Sequence, residues 1–374
     1  MTVTIRPGAL RGEIAAMPSK YDLHRLMIAS HLAGMGLEGL PVISDDIAVT
    51  KHCLQAIANC ELRIANCRES GSTLRFLLPV FAALGREVTF TGEGRLPERP
   101  MQPLIDQLRE HGCHIDRENL PITIAGQLRP GVFTLPGDVT SQYVTGLLFA
   151  LPLLTGSSEI ALTSPLQSRG YVDMTLRTLR KFGIAINETE RGFLVPGGQV
   201  YQRPVGPPVP EGDWSAAAFW LAANVRVTGL DEESAQPDRV IAGLLKDLPK
   251  EIDVSQCPDL APILAVVMAL TPGERRIVNG ARLRLKESDR LHAMAANLAA
   301  LGTDVTELPD GLAVNGRLSL RGGEVDSFGD HRIAMALAIA ALKCEGNVTL
   351  RGAQAVAKTY PDFWEDYRRL GGRI

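Results

Sequence analysis

Four segments of the chain share one pattern: the last turn of an amphipathic helix, a glycine, then the start of a strand. They are Leu108-Arg-Glu-His111-Gly112-Cys-His-Ile115, Leu179-Arg-Lys-Phe182-Gly183-Ile-Ala-Ile186, Leu298-Ala-Ala-Leu301-Gly302-Thr-Asp-Val305 and Tyr367-Arg-Arg-Leu370-Gly371-Gly-Arg-Ile374. A glycine just past a helix closes it, because no Cβ opposes the left-handed backbone that the stop requires. In the first three segments a second glycine follows at the same interval, at Gly126, Gly197 and Gly316. The residues between hold Glu118-Asn119, Glu190-Arg-Gly192 or Pro309-Asp-Gly311, so each reads as a hairpin. Helix, glycine and strand follow one another in many proteins. Four copies, three sharing the second glycine, indicate duplication of one supersecondary unit.

A second kind of helix alternates with the first, with a polar start and an almost wholly apolar body. Six segments fit, opening at Ser19-Lys20, Ser70-Gly71-Ser72, Thr140-Ser141-Gln142, Asp213-Trp214-Ser215, Pro258-Asp259 and Asp330-His331-Arg332. A helix apolar on every side belongs inside a domain, exposing only its tip to a ligand. Strand-like runs such as Glu87-Val-Thr-Phe-Thr91 and Asn347-Val-Thr-Leu-Arg351 lie between. The class is therefore α/β or α+β, built on a repeated βαβ-type unit. The proline-rich stretch Gln202-Arg-Pro204-Val-Gly-Pro207-Pro208-Val-Pro210 disfavours helix and sheet interior alike. A boundary there leaves three polar-tipped helices on each side, with a pocket expected between the halves.

Polar residues also precede the amphipathic helices. Counting back from the closing glycines, Arg99, Tyr171, Arg290 and Lys358 fall where each helix is expected to begin. Helix starts carry free N–H groups and a positive dipole end, so converging starts suit an anion. The densest charge lies in Arg282-Leu-Arg284-Leu-Lys286-Glu287-Ser288-Asp289-Arg290. Lys286 and Arg290, four apart, are expected on one face of a first helical turn. Interleaved carboxylates suit a pocket where cations grip an anion and a carboxylate handles protons.

The 374 residues suffice for about two domains. With a net charge of −3, any basic site is local, and nothing global points to nucleic acid. The amino terminus lacks a signal-peptide core, and no apolar run reaches membrane-spanning length. Six cysteines show neither CxxC nor zinc spacing. The seven-residue recurrence of Cys53, Cys60 and Cys67 is read as coincidence, and reduced thiols in a cytoplasmic protein as the simple case.

Taken in order, the motifs resemble those of the enolpyruvyl transferases, within them the branch acting on shikimate 3-phosphate. Pro18-Ser19-Lys20 with His24-Arg25 is similar to the family's opening motif, Ser70-Gly71-Ser72-Thr73-Leu74-Arg75 to its glycine loop, and Leu96-Pro-Glu98-Arg99-Pro100 to its E-R-P motif. Thr140-Ser141-Gln142, Ser168 with Tyr171, Pro258-Asp259, Leu285-Lys286-Glu287 through Arg290, Asp330-His331-Arg332 and Ala357-Lys358 continue the series. The resemblance runs from about residue 15 to 365. It implies two similar domains of βαβαββ repeats with buried helices, an inside-out α/β barrel. Domain I would comprise 1–14 with 211–374 and domain II 15–210, with the active site in the cleft between them.

The implied reaction joins the enolpyruvyl group of phosphoenolpyruvate to the 5-hydroxyl of shikimate 3-phosphate and releases phosphate, with no metal or organic cofactor. By the same resemblance Lys20, Gly71, Arg99, Gln142, Arg290, Arg332 and Lys358 bind phosphoenolpyruvate. Lys20, Tyr21, Arg25, Thr140, Ser141, Gln142, Ser168, Tyr171, Asp259 and Lys286 bind the acceptor. Asp259 is the candidate base for the attacking hydroxyl, with helix capping as its bland alternative. Glu287 and Lys20 are rival donors of a proton to the methylene carbon. Arg75 and His331 are either ligands or supports, and Ser141 either a ligand or an N-cap. The chain departs from the family at Tyr21, normally serine, at Met17, normally glycine, and at Arg282, often neutral. Two alternatives are a paralogue with another acceptor and a non-catalytic anion-binding homologue. The expected partners are small molecules rather than nucleic acid or membrane, and the expected state is a cytoplasmic monomer.

Overall fold

The structure is a computed structural model that describes residues 1–58 and 63–374, so Cys60 lies outside the described residues. The chain packs as two compact units, Met1–Ser19 with Glu211–Ile374, and Lys20–Pro210. The first crossing falls after Ser19 rather than after residue 14. Glu13–Ala15 runs parallel to Arg226–Thr228, Ala16 N–H donates to the Thr228 carbonyl, and Ser19 N–H donates to the Glu211 carbonyl. Those bonds hold residues 15–19 to the segment that follows Pro210.

Lys20–Pro210 contains two four-stranded sheets of identical order. In one, Ile64–Asn66 runs parallel to Val88–Thr91, which pairs antiparallel with Ile122–Gly126, itself antiparallel to Cys113–Ile115. Val132–Leu135, Ser158–Leu162, Gly192–Val195 and Asn187–Thr189 repeat the arrangement. An apolar helix joins each parallel pair, Gly71–Ala83 or Ser141–Ala150. An amphipathic helix, Gln102–Glu110 or Arg169–Lys181, then leads to the hairpin. Each copy is therefore strand, helix, strand, helix, strand, strand. The helix Lys20–Leu32 joins the same core.

The other unit repeats the order with Glu251–Asp253, Gly273–Val278, Gly311–Gly316 and Asp304–Leu308. A fourth copy draws on distant sequence: Gly323–Asp326 lies parallel to Val348–Arg351, and Thr2–Ile5 completes that sheet antiparallel. The buried helices of this unit are Trp214–Ala222, Ala261–Ala269 and His331–Ala341.

The four helix-closing glycines have φ of +96° at Gly112, +75° at Gly183, +86° at Gly302 and +97° at Gly371. Of the second glycines, Gly126 also has a positive φ, +89°, whereas Gly197 and Gly316 serve a different need. A Cβ at Gly197 or Gly316 would strike carbonyl oxygens, those of Leu154 and Gly156 or of Met268 and Thr271. Side-chain caps match the polar tips: Ser70, Thr140, Asp213 and Asp330 each accept a hydrogen bond from a backbone N–H in the following turn. Thr140, not Ser141, is the cap of its helix, because its hydroxyl stands before the first helical residue. No described helix is long and apolar enough to cross a membrane, and the five described cysteines are buried and unbridged.

Candidate active site

Each unit gathers its buried polar groups at the starts of its apolar helices. In Lys20–Pro210 the gathering is rich in hydroxyls and neutral acceptors. Lys20, 8% exposed, holds Asp46 Oδ2 at 3.0 Å, and its Nζ lies 5.5 Å from the centroid of the Tyr21 ring. Arg25 is buried and pinned through three nitrogens: Nε donates to Thr175 Oγ1 at 2.9 Å, Nη1 to the Tyr21 carbonyl at 2.6 Å, and Nη2 to the Tyr171 carbonyl at 2.7 Å. Burial pulls its guanidinium down to about 10. The rings of Tyr21 and Tyr171 lie against each other, tilted by 36° with centroids 4.8 Å apart. Ser168 precedes that helix in the left-handed conformation, φ 55°, and its carbonyl accepts from Tyr171 N–H.

The glycine loop lies in the same unit. A side-chain carbon at Gly71 would come within 2.7 Å of Arg75 Nη1 and 2.9 Å of Arg99 Nη1, so glycine leaves room for two guanidinium groups at this helix start. Arg75 Nη1 donates to Gln142 Oε1 at 2.9 Å, and Gln142 Nε2 to Ser72 Oγ at 3.0 Å. Arg75 Nη2 and Tyr143 Oη both donate to the Pro100 carbonyl, beside Arg99. The helices carrying Arg75 and Gln142 touch closely, since a Cβ at Gly146 would strike the Arg75 carbonyl. Arg75 thus fixes Gln142 and the backbone next to Arg99. Two like charges meeting at a helix N-terminus form a cradle for an anion.

The gathering in the other unit is dense in charge. Arg290, 2% exposed, is held by three carboxylates: Nε donates to Asp330 Oδ2 at 2.7 Å, Nη1 to Asp259 Oδ1 at 2.7 Å, and Nη2 to Glu287 Oε2 at 3.0 Å. Burial opposes its charge, but Asp330, Glu287 and Asp259 outweigh that and keep its pKa well above the ordinary arginine value. Further cations surround the acids. Lys286 Nζ and Arg332 Nη2 each lie 3.8 Å from Asp259, and Lys358 Nζ lies 4.0 Å from Glu287. Asp259 sits in the short turn Pro258–Leu260, and neither that turn nor the helix Ala261–Ala269 has a side-chain cap. Its carboxylate turns to the cations instead. Asp330 both caps His331–Ala341, accepting from Arg332 N–H, and holds Arg290. His331 is buried, with Nδ1 3.7 Å from Asp330 Oδ1.

Two expectations of local structure fail. Lys286 is extended and precedes the helix, which starts at Arg290 because Asp289 accepts from His292 N–H. Lys286 and Arg290 still reach the same carboxylate, by a loop rather than a helical face. Of the four residues expected at helix starts, only Arg290 opens its helix. Tyr171 lies inside Arg169–Lys181, Arg99 ends the turn Leu96–Glu98, and Lys358 ends the turn Ala353–Lys358. The departure at Arg282 is structural, its Nη2 donating to the Ser255 carbonyl at 2.8 Å. Met17 packs, partly buried, against the core of its unit.

Sequence reasoning missed Asp46 and Asp238. Asp46 is one acidic residue in the first turn of Asp45–Ala58, with no motif around it. Asp238 is fully buried and accepts from Ser215 Oγ, while the Ser215 carbonyl accepts from Arg332 Nη1 at 3.1 Å. Burial, then the charge of Asp259, push its carboxyl up to about 7 against the pull of Arg332. Asp238 lies in the polar run 231–239, which gave no sign that it would be buried.

Comparison with known proteins agrees across the chain. The family model for EPSP synthase (3-phosphoshikimate 1-carboxyvinyltransferase) matches residues 13–248 and 224–367. The chain is 41% identical to a 3-phosphoshikimate 1-carboxyvinyltransferase of Clostridium kluyveri and 42% identical to one of Clostridium acetobutylicum, each alignment covering 100% of this chain and 98% of the relative. Among solved structures, the EPSP synthase of Acinetobacter baumannii superposes with a TM-score of 0.79 at 23% identity, over 99% of this chain and 98% of that one. The enolpyruvyl transferase NikO of Streptomyces tendae gives 0.77 at 20%, over 99% and 97%. Repeated fold, paired polar clusters and full-length relatives converge, and the chain belongs to the EPSP synthase family.

Proposed function

We propose that this chain carries out the transfer for which its relatives are named, with the two clusters serving one pair of substrates. The enolpyruvyl group of phosphoenolpyruvate passes to the 5-hydroxyl of shikimate 3-phosphate, giving EPSP and phosphate. The observation that carries the assignment of roles is Arg290, a buried cation that fixes Asp259, Glu287 and Asp330 at hydrogen-bond distance. Carboxylates held in place among cations suit proton transfer beside anionic substrates.

In this reading Asp259 takes the proton of the attacking hydroxyl. The acceptor oxygen bonds to C2 of phosphoenolpyruvate while its methylene carbon gains a proton and becomes methyl. Glu287 or Lys20 supplies that proton. The bond from C2 to the phosphate oxygen then breaks, the methyl returns a proton, and the double bond re-forms. Lys20, Gly71, Arg99, Gln142, Arg290, Arg332 and Lys358 hold phosphoenolpyruvate. Arg25, Thr140, Ser141, Ser168, Tyr171, Asp259 and Lys286 hold the acceptor, with Lys20 and Gln142 touching both. Arg75 acts through Gln142. Tyr21 replaces a short hydroxyl by a ring packed against Tyr171, so it shapes the acceptor side. The reading includes a cytoplasmic monomer.

Phosphate release with both substrates present tests the function. Turnover that needs phosphoenolpyruvate and shikimate 3-phosphate together is expected. Turnover only with another alcohol would move the chain to a different acceptor, and binding without phosphate release would make it a non-catalytic homologue.

A further inference from the structure

One buried polar chain takes no part in the roles above. His24 Nδ1 lies 2.8 Å from Thr50 Oγ1, Thr50 Oγ1 lies 2.6 Å from Thr73 Oγ1, and Thr73 Oγ1 lies 2.7 Å from Ser70 Oγ. All four residues are at most 1% exposed. They belong to three helices and a cap: His24 to Lys20–Leu32, Thr50 to Asp45–Ala58, Thr73 to Gly71–Ala83, and Ser70 to the position before it. The first helix also carries Lys20, the second its partner Asp46, and the third opens at the anion cradle.

The direction of these bonds follows from His24. Burial pulls its pKa down to about 3, so the imidazole is neutral and has one N–H and one lone pair. Nε2 is buried with no hydrogen-bond partner among the described residues. Stranding a lone pair costs less than stranding an N–H, which places the proton on Nδ1 and makes Thr50 Oγ1 its acceptor. Thr50 has one proton to give. Thr73 at 2.6 Å is the better acceptor than the Asp46 carbonyl at 3.2 Å. Thr73 then donates to Ser70 Oγ, which also accepts from Thr73 N–H at 3.3 Å. The Ser70 hydroxyl proton is left over, at a helix start where Arg75 and Arg99 converge.

We infer that His24 is a positioning residue whose N–H turns the Thr50 and Thr73 hydroxyls toward Ser70, giving this helix start one further donor for the anionic group it binds. The inference rests on reading the Gly71 cradle as the phosphoenolpyruvate side, so the test carries its own control. Michaelis constants for both substrates, kcat and melting temperature are measured for Thr50→Val, Thr50→Ser, Ser70→Ala, the Thr50→Val/Ser70→Ala pair and Arg99→Gln. Thr50→Val should raise KM for phosphoenolpyruvate about fivefold to tenfold, the loss of roughly one hydrogen bond, with kcat and the acceptor KM within about twofold. Thr50→Ser should restore it. The pair should be no worse in KM than Ser70→Ala alone, since both changes remove the same donor. A Thr50→Val effect on melting alone, an equal rise in both KM values, or additive KM effects would overturn the inference. Should Thr50→Val fail to fold, His24→Leu serves, with the same selective KM rise expected and a normal KM overturning it. If Arg99→Gln leaves the phosphoenolpyruvate KM unchanged, the cradle itself is misassigned; if it raises that KM while Thr50→Val does not, the hydroxyl chain alone is wrong.

Discussion

The two units share one strand order and hold buried helices tipped with polar groups, yet their clusters are chemically unlike. In the cluster of Lys20–Pro210, Arg25 and Arg75 donate to carbonyls, a threonine and a glutamine, and Lys20 pairs with one carboxylate, Asp46. In the other unit Arg290 is tied to three carboxylates, and Lys286, Arg332 and Lys358 stand close to the same acids. Charge there is internally matched, and protons have several places to go. In the proposed function both clusters hold substrate, and Asp259 and Glu287 put most of the proton handling in the second. A duplicated scaffold therefore specifies where helix tips lie, and the tip residues specify the chemistry.

The sharpest way to break this contrast is to neutralise one acid. Asp259→Asn should lower kcat by about a thousandfold, the scale of a lost general base, while changing both KM values little. A loss confined to KM would place Asp259 with the binding residues. Removing the central cation tests the matched charge. Arg290→Met removes the cation that three carboxylates share, and breaking a buried ion pair costs about 3–5 kcal/mol. Trp214, Trp220 and Trp364 all lie in this unit, so tryptophan fluorescence follows its unfolding separately. Its midpoint should fall for Arg290→Met and stay put for Arg25→Leu, which lies in the other unit. Equal shifts would mean that the two units do not unfold independently.

Binding substitutions should have smaller effects. Gln142→Ala should raise KM for phosphoenolpyruvate about tenfold with kcat less altered, as expected for a hydrogen bond to a charged group. A larger fall in kcat than rise in KM would move proton handling into this unit.

Asp238 sharpens the comparison through pH. Its folded carboxyl titrates near 7, above the unfolded value of about 3.9. A raised acid favours folding while protonated, so its contribution is full below about pH 4 and is lost as pH rises to about 7. Asp238→Asn should therefore melt about 2–4 °C higher than the parent at pH 8, with the gap closing by pH 4. A gap independent of pH would assign the effect to packing.

The smallest effect is expected at Tyr21. Its hydroxyl lies past a whole ring, where a serine hydroxyl is one bond beyond Cβ. Tyr21→Ser should change acceptor affinity by about 0.5–1.5 kcal/mol and leave phosphoenolpyruvate nearly untouched. Equal changes for both substrates would reduce Tyr21 to packing between Lys20 and Tyr171.

What was legible in the sequence was periodic. The closing glycines, the hairpins after Gly112, Gly183 and Gly302, and the six apolar helices all left patterns that repeat, and the structure has them. The site residues followed from motifs in order, which name residues without giving geometry. Lys286 shows the limit: its spacing to Arg290 fits a helix, but Asp289 offers its carboxylate to His292 N–H and starts the helix later. Asp46 and Asp238 left no pattern, because their roles depend on partners far away in sequence, Lys20 and Ser215.

The sheet completed by Thr2–Ile5 has a consequence for the order in which the chain can become structured as it is made. That strand pairs with Val348–Arg351, so one of the earliest strands to leave the ribosome waits for one of the last. Lys20–Pro210 is contiguous and can close both of its sheets before Glu211 is added. Domains generally fold as units during synthesis, the earlier one first. The Lys20–Pro210 half can therefore form on a nascent chain while its flanking strand stays unpaired, and a chain stopped before Val348 would keep that half and strand the other.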